Sequence, residues 1–453
     1  MKFGGTSVAD AQRILAIAEI VRARLPQSPV VVVSALAGVT DLLVRAVRAA
    51  RASDVEGLDP LLADLERRHR WALAGSVEVP GERHDLSLEL DGLFEDLRRK
   101  LRSIRILGEA TPRAADGVLA SGELLSARIV AAAFRGRGLP ARFVDPREVV
   151  VTDARFGEAR PDLAATAGRC RDHVTPSVRE GELPVLGGYV GATPEGDTTT
   201  LGRGGSDTSA AVLGAALGVE EIQIWTDVDG MMSADPRLVP AARTIPRLSF
   251  AEAAELAFYG ARVLHPDSIA PAVERQIPVR VLNSHRPDAP GSVVLDGPAE
   301  ERAARLVAVA SRAGVCTVRV LSRRMRADAG FVAGVLEAFR GCALAPDLLV
   351  ASEVAVHAAL PAHGATAQLS AELERCGTIE LREERALVCI VGSGLAGAGP
   401  ARREALQGIA AYEPEIVGVG ASAAGLAAVL PESSLVEAVG GLHRRFFEDG
   451  TTA

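Results

Sequence analysis

The sequence predicts an α/β protein built on an open, mostly parallel sheet and followed by two smaller α+β modules. Continuous apolar runs such as Val30 to Val33 and Pro184 to Leu186 suit strands buried on both faces, as parallel strands are. The early runs lead through loops of small residues into segments with helical apolar spacing, the alternation of an open α/β sheet. After about residue 295 the pattern changes: Pro287, Pro290 and Pro298 with Gly291 and Gly297 mark a linker, and short strands with single helices follow.

Composition bounds the reading. The chain has 453 residues, 48% of them hydrophobic, the profile of a globular protein of two to four domains. A net charge of −8 without a basic block argues against nucleic acid or an anionic membrane as partner. No run of about 18 apolar residues is evident and no charged-then-apolar leader opens the chain, so a cytoplasmic location is expected. The five cysteines are odd in number and lack CxxC spacing, which suits core residues in a reducing compartment. Of the 50 basic residues only Lys2 and Lys100 are lysine. A chain that writes arginine nearly everywhere keeps lysine where a compact ammonium does something a guanidinium cannot, which singles out Lys2.

In chain order, Lys2 and Phe3 read as the end of a strand and Gly4-Gly5 as a turn. Thr6 or Ser7 is the expected cap of a helix with apolar positions Ile14, Ile17, Ile20 and Val21. The lysine precedes the glycines, the reverse of the Walker pattern. Only Met1 stands before it, so either the natural start lies upstream or the strand is completed otherwise. Val30 to Val33 run into the small-residue loop Ser34 to Asp41. Residues 50–115 carry helical leucine spacing (Leu62, Leu65; Leu86, Leu90, Leu93, Leu97), and their arginine runs, such as Arg67-Arg68, read as solvated faces.

The stretch Gly196 to Leu217 reads as a glycine loop entering a helix. Gly202, Gly204 and Gly205 open it, Ser206 is the expected cap, Asp207 falls in the first turn, and Val212, Leu213, Ala216 and Leu217 form the buried face before Gly218. With Pro184 to Leu186 before it and Ile222, Ile224 and Thr226 after it, the stretch reads as a βαβ unit. A helix N-terminus opened by glycines binds anions, and Arg203 offers a planar fork for a carboxylate or phosphate; the glycines alone are equally those of a tight turn. Beyond the linker, one module has a strand over Ala308 to Val320, the segment Ser322 to Phe339 entering a helix, and a strand through Asp347 to Val354. The other has a strand Ala386 to Val391, a helix near Glu404 to Ala411, a strand Glu415 to Gly420 and a last helix ending at Leu442 to Phe447.

KFGGTS, SALAGVTDLL, SGELLSARI (Ser121 to Ile129), GGYVG (Gly187 to Gly191), TTTLGRGGSDTSA, WTDVDGMMSADPR (Trp225 to Arg237) and YGARVLHP (Tyr259 to Pro266) follow one another in the order found in aspartate kinases. The chain resembles that family over roughly its first 290 residues, and its two C-terminal modules resemble ACT regulatory modules. The resemblance implies an amino-acid-kinase fold over residues 1–293, with 50–115 a helical insertion covering the aspartate side of the cleft. ACT-like modules follow at 300–380 and 381–453, with strand exchange between them.

It also implies transfer of the ATP γ-phosphoryl, with Mg²⁺, to the side-chain carboxylate of L-aspartate, giving 4-phospho-L-aspartate on the way to lysine, threonine and methionine. A carboxylate with a reference pKa of about 3.9 is already ionised, so the nucleophile needs no general base. By resemblance Lys2 and Asp207 are the catalytic residues, Lys2 meeting the transferring phosphoryl group. Arg203 holds the α-carboxylate, Glu123 and Asp207 face the α-ammonium, Thr40 and Ser206 donate hydrogen bonds, and Tyr189 lines the pocket. Outside that context Glu123 is also readable as a capping carboxylate and Tyr189 as a core aromatic. The nucleotide set is Lys2, Gly4, Gly5, Thr6, Ser7, Thr226, Asp227, Met232, Arg237 and Arg262, the last standing where many relatives have lysine. His265 is read as structural.

The ACT resemblance puts an amino-acid effector against Met325, Phe331, Asp347, Ser352 and Glu353. Two acids there suit a ligand bearing an ammonium, lysine first and threonine as the alternative; as plain loop residues they would simply be solvated. The modules imply a homodimer, with a tetramer as the alternative. The length beyond the modules leaves no room for a fused dehydrogenase, so a monofunctional enzyme is expected. The competing readings are another amino acid kinase of the same fold and an amino-acid sensor with a dead kinase domain, which intact Lys2, Arg203, Asp207 and Glu123 argue against.

Overall fold

The structure is a computed structural model that describes residues 1–260, 264–295, 305–322, 329–352, 354–397, 399–419 and 424–448. Arg262, Met325 and Glu353 lie outside the described residues. The chain divides into two units, Met1–Gly230 with Val263–Leu295 and Met231–Arg262 with Asp296–Ala453.

The first unit is organised around its shortest strand. Its strands are β1 (Lys2–Phe3), β2 (Val31–Val33), β3 (Ala141–Phe143), β4 (Leu183–Gly187), the hairpin β5 (Val190–Ala192) and β6 (Thr198–Thr200), and β7 (Ile222–Thr226). After β8 (Arg247–Leu248), which belongs to the second unit, come β9 (Val279–Asn283) and β10 (Ser292–Val294). The sheet of this unit runs β3-β4-β2-β1-β7-β9-β10. Its pairings are parallel except for β10 on β9. Lys2 pairs with Val32 on one side and Ile224 on the other, and Phe3 with Val33 and Trp225, so two residues are gripped from both flanks. Phe3 is fully buried and stacks on Trp225 with ring centroids 5.9 Å apart, an apolar clamp that holds the strand where backbone length cannot.

Several local expectations shift. The first helix, Ala11–Arg22, is capped by Asp10, which accepts from the Arg13 N–H; Gly5–Val8 form a separate 3₁₀ turn, so neither Thr6 nor Ser7 is the cap. The helix Gly205–Leu217 starts from Gly204 at φ 71° with no side-chain cap, and Ser206 already lies inside its first turn. The strands flanking it do not pair with each other: β2 and β1 stand between β4 and β7, and the β5–β6 hairpin intervenes before the helix, so no simple βαβ unit forms.

The leucine spacing in 50–115 yields the helices Val55–Ser76, Pro80–Leu107 and Pro112–Leu119. Leu65, Leu86, Leu90 and Leu97 are buried there, each contributing about 1.5–3 kcal/mol of apolar transfer. Arg67 and Arg68 both reach Asp64 from side chains 47% and 41% exposed, as solvated faces should. The span Pro112–Gly136 is by length and composition apolar enough to cross a membrane, but 83% of its apolar window is buried inside the molecule. The five cysteines are all free thiols.

The second unit carries an antiparallel sheet in the order β12-β13-β11-β14-β16-β15. These are β11 (Ala308–Ser322), β12 (Leu348–Ala351), β13 (Ala355–Pro361), β14 (Gly377–Val391), β15 (Ile416–Val419) and β16 (Gly425–Pro431). Two cores form on it. Val318, Val320, Val335, Phe339, Leu360 and Leu373 make one, and Val309, Val388, Ile390, Ile409, Val439 and Phe446 the other. β11 and β14, 15 residues each, run through both cores, and the pairing register shifts between Arg312 and Thr317, where β11 passes from one to the other. β13, β16 and the helix Ala367–Cys376 have no counterpart in the sequence reading, because AVHAALP and GLAAVLP are rich in alanine and carry little strand propensity.

Candidate active site

The first unit gathers its small-residue loops at the C-terminal ends of β1, β2 and β4, where open α/β sheets bind ligands. The approach is close enough that side chains would collide. A Cβ on Gly187 would stand 3.0 Å from the Glu123 carbonyl oxygen, one on Gly188 2.7 Å from Ser206 Cβ, and one on Gly5 3.2 Å from Ala35 O. The sequence segments around Lys2, Ala35, Glu123, Gly187 and Ser206 thus converge on one place because glycine lets backbone pack on backbone.

Lys2 is 8% exposed, and its Nζ stands 2.7 Å from Asp207 Oδ1. The carboxylate approaches off the hydrogen-bond direction, so the contact is one of charge on charge. Asp207 lies in the first turn of Gly205–Leu217, where the helix dipole favours a carboxylate. Glu123, in the first turn of the helix Ser121–Gly136, is 3% exposed. Burial pushes its carboxyl up to about 8, against hydrogen bonds from the backbone of Ala35 and of Glu123 itself. Its Oε2 has no hydrogen-bond partner among the described residues. A buried acid with an open oxygen is a receptor for a cation or a donor.

Tyr189 is half-buried at φ 64°, with its N–H donating to Ser209 Oγ at 2.9 Å and its hydroxyl sharing a hydrogen bond with the Thr200 side chain. Its ring lies against Gly205, where a Cβ would come within 2.5 Å of Cδ2. Arg203 is exposed between Gly202 (φ 72°) and Gly204 (φ 71°), a backbone path that side chains rarely adopt and that turns the arginine out at the helix N-terminus. Thr40 sits half-buried in the first turn of Val39–Arg51, and Ser206 is half-buried beside Asp207.

Of the nucleotide set, Gly4 and Gly5 turn directly after β1, and Thr6 is exposed. Ser7 is fully buried, its hydroxyl 2.7 Å from Ser284 Oγ, so that side chain ties β1 to the end of β9. Thr226 ends β7, its hydroxyl donating to Asp227 Oδ1 at 3.1 Å. Met232 and Arg237 belong to the segment that packs with the second unit. There Met232 sulfur accepts from the Thr244 hydroxyl, and Arg237 is paired with Asp235, Nη2 to Oδ2 at 2.6 Å. His265 is half exposed and sits 3.8 Å from Asp267.

Sequence reasoning missed Ser284, Asn283 and Asp229. Ser284 donates to the Thr226 carbonyl at 3.0 Å, and Asn283 holds Asp229 at 2.7 Å. For Asn283 and Ser284 the signal was present as LNSHR at the end of a strand, outside the motifs; Asp229 lies within WTDVDGMMSADPR but was given no role there. In the second unit, Phe331 is buried in the first core, and Asp347 is in ion-pair contact with Arg312. Ser352 lines an open cleft of about 410 Å³ with Val350, Arg319, Glu380, Arg382 and Glu415.

Known proteins match this chain in sequence and in fold. The chain belongs to the Amino acid kinase family, which it matches over residues 1–283. Within that family it belongs to the aspartokinases, enzymes of the kinase class. It is 34% identical to lysine-sensitive aspartokinase 3 of Escherichia coli over 99% of this chain and 98% of that protein. It is 32% identical to the chloroplastic aspartokinase 3 of Arabidopsis thaliana over the whole of this chain and 82% of that one. Among solved structures it resembles Escherichia coli aspartokinase III with aspartate and ADP (R-state) at TM-score 0.82, and the same enzyme with lysine and aspartate (T-state) at 0.86. Both are 33% identical, and each comparison covers 99% of both chains.

Proposed function

We propose that this chain transfers the γ-phosphoryl group of ATP to the side-chain carboxylate of L-aspartate, giving 4-phospho-L-aspartate, the first step towards lysine, threonine and methionine. The observation that carries this reading is a buried acid with an open oxygen, Glu123, in the same unit as a buried Lys2–Asp207 pair at a glycine-opened helix N-terminus. An α-ammonium suits the first and a transferring phosphoryl group the second. The ligands of the Escherichia coli complexes support it.

The chemistry is positioning and charge compensation. The attacking carboxylate is ionised at neutral pH and repels the phosphates; Lys2 offsets the charge on the transferring group, and Asp207 holds Lys2 in place. Arg203 grips the α-carboxylate through two parallel hydrogen bonds, Glu123 takes the α-ammonium, Thr40 and Ser206 donate, and Tyr189 walls the pocket. ATP is assigned to Gly4, Gly5, Thr6, Thr226 and Asp227, with Met232, Arg237 and Arg262 as further nucleotide residues by resemblance; Ser7 acts through its bond to Ser284. Mg²⁺ supplies charge neutralisation on the phosphates. Among the described residues no cluster of three His, Cys, Asp or Glu forms a protein-only cage, so phosphate oxygens and water would hold most of its shell.

The domain bounds that go with this reading are 1–293 for the kinase domain, 300–380 and 381–453 for the ACT modules. The passage of β11 and β14 through both cores supports strand exchange between the modules. The hydrogen bond from Arg68 to Ala37 O at 3.2 Å supports the 50–115 insertion as a cover for the aspartate side. Feedback by lysine, with threonine as the alternative, acts through the module bearing Phe331, Asp347 and Ser352. The protein works as a cytoplasmic homodimer paired through these modules.

The test is ADP release coupled to a spectrophotometric readout, with L-aspartate, L-glutamate or N-acetyl-L-glutamate as acceptor and with lysine or threonine added. Turnover with aspartate alone and inhibition by lysine are expected. Turnover with another acceptor and none with aspartate would overturn the assignment.

A further inference from the structure

Asp116 stands in the helix Pro112–Leu119, seven positions before Glu123, and belongs to no recognised motif. It is 1% exposed, yet its carboxylate is fully engaged. Oδ1 accepts from the Thr200 hydroxyl at 2.7 Å, and Oδ2 accepts from the N–H groups of Thr200 and Gly157, both at 2.9 Å. The Thr200 carbonyl in turn accepts from Ala159 N–H at 2.9 Å. Thr200 is thus held at its N–H, its carbonyl and its side chain, and it is the last residue of β6 before the loop Leu201-Gly202-Arg203-Gly204.

Neighbouring contacts extend the clamp. A Cβ on Gly202 would lie 3.3 Å from Gly157 O, so the segment that Asp116 holds presses on the loop as well. Leu201 N–H donates to the Tyr189 carbonyl at 2.9 Å, and the Tyr189 hydroxyl shares the Thr200 side chain. Burial raises the Asp116 carboxyl above the usual range, opposed by the same Thr200 and Gly157 donors. Among the described residues, its hydrogen-bond partners are backbone and hydroxyl donors and no cation. A buried carboxylate satisfied by three donors from two other segments fixes geometry more than it adds net stability.

We propose that Asp116 is the positioning residue that locks Thr200 and so sets the Gly202–Gly204 loop in the one path that aims Arg203 at the substrate α-carboxylate. This rests on the assignment of Arg203 to that carboxylate. Asp116 touches no reacting atom. Its effect should therefore appear in aspartate capture, because a guanidinium displaced by more than about 0.5 Å loses its two-point grip.

The test is steady-state kinetics of Asp116→Asn, Thr200→Val and Thr200→Ser with each substrate varied in turn, beside melting temperatures. Asp116→Asn keeps the shape but removes the charge, leaving a neutral carbonyl for the two N–H donors and an NH2 group facing the Thr200 hydroxyl. It should raise aspartate KM about tenfold, the scale of one lost charge-assisted hydrogen bond, with ATP KM within twofold. Thr200→Val should move the same way by a smaller factor, and Thr200→Ser, which keeps the hydroxyl, should restore wild-type values. Equal shifts in both KM values, or a lower melting temperature with no KM split in either Asp116→Asn or Thr200→Val, would overturn the proposal. Arg203→Lys measured alongside separates the two layers. If it leaves aspartate KM unchanged, the assignment of Arg203 fails; if it raises aspartate KM while Asp116→Asn does not, only the positioning role fails.

Discussion

Glu123 in the first unit and Asp347 in the second are both shielded carboxylates assigned to an ammonium, but they are kept in different states. Glu123 is 3% exposed, with Oε2 unpartnered among the described residues and its carboxyl pushed up to about 8 by burial. The Asp347 side chain, 10% exposed, already has a guanidinium against it, that of Arg312. A ligand ammonium entering the first pocket meets a carboxyl that folding has already buried, so much of the desolvation of the acid has been met beforehand. A ligand entering the second must exchange with a resident cation. High occupancy with a substrate and graded response to an effector are the behaviours these two states would give. The largest test in the first unit is its buried lysine, paired with Asp207 rather than Glu123: Lys2→Ala should lower kcat by about 10²-fold or more, comparable to losing an oxyanion-type donor. Melting temperature should change little, since Phe3 and its stack on Trp225 carry the burial of β1. Activity within threefold of wild type would remove Lys2 from the mechanism.

Arg203 sharpens the same contrast, because it is exposed at the helix N-terminus, whereas Arg312 is already held against Asp347. Arg203→Lys should weaken aspartate kcat/KM by about 2–3 kcal/mol, since lysine retains charge but not the planar fork. ATP KM should stay nearly constant. Equal losses for both substrates would move Arg203 to the phosphates.

Much of this site was legible because its chemistry is written in contiguous motifs at strand ends. The GRGGSD loop and the lone lysine before Gly4-Gly5 needed no tertiary information, and the positions of Asp207 and Glu123 in first turns follow from the helix starts. What stayed hidden depends on contacts across sequence. Asp116 is a single acid in an alanine-rich helix whose partners lie 41 and 84 residues away, and Ser284 meets Ser7 across 277 positions. The caps went wrong for a local reason: several small polar residues compete within one turn, and Asp10 wins over Thr6 and Ser7 because a 3₁₀ turn intervenes. In the second unit alanine-rich strands, β13 and β16, were recognisable only through their neighbours in the sheet.

The burial of Glu123 should be visible in pH dependence. Its folded carboxyl is raised from 4.5 to about 8, so between those values the folded state holds a proton that the unfolded chain has released. The unfolded state then binds fewer protons, and the contribution of this group to stability falls as pH rises across that window. For capture the sign reverses, because an ammonium requires the ionised form. Aspartate kcat/KM should climb by up to about tenfold per pH unit below 8 and level off above it, since kcat/KM reports groups of the free enzyme. Glu123→Gln should flatten that rise and also abolish the stability slope. A wild-type profile flat from pH 6 to 8.5 would show that the acid is already ionised and that its pocket is better solvated than its burial implies.

The smallest expected effect concerns the occupied pocket. The Arg312 side chain is 32% exposed, but the atoms that meet Asp347 are buried, so the pair is screened little and its net contribution is the small difference between attraction and desolvation. Removing the resident guanidinium in Arg312→Ala leaves Asp347 free to take an ammonium without exchange. Half-maximal inhibition by lysine should then occur at a several-fold lower concentration, with uninhibited kcat unchanged. Arg312 also lies at the register shift of β11, and melting temperatures measured beside the inhibition curves separate a change in the receptor from a loosened sheet. Sensitivity that is unchanged or weaker in Arg312→Ala would mean that the ion pair is part of the receptor itself, and the contrast with Glu123 would collapse to two pockets built alike.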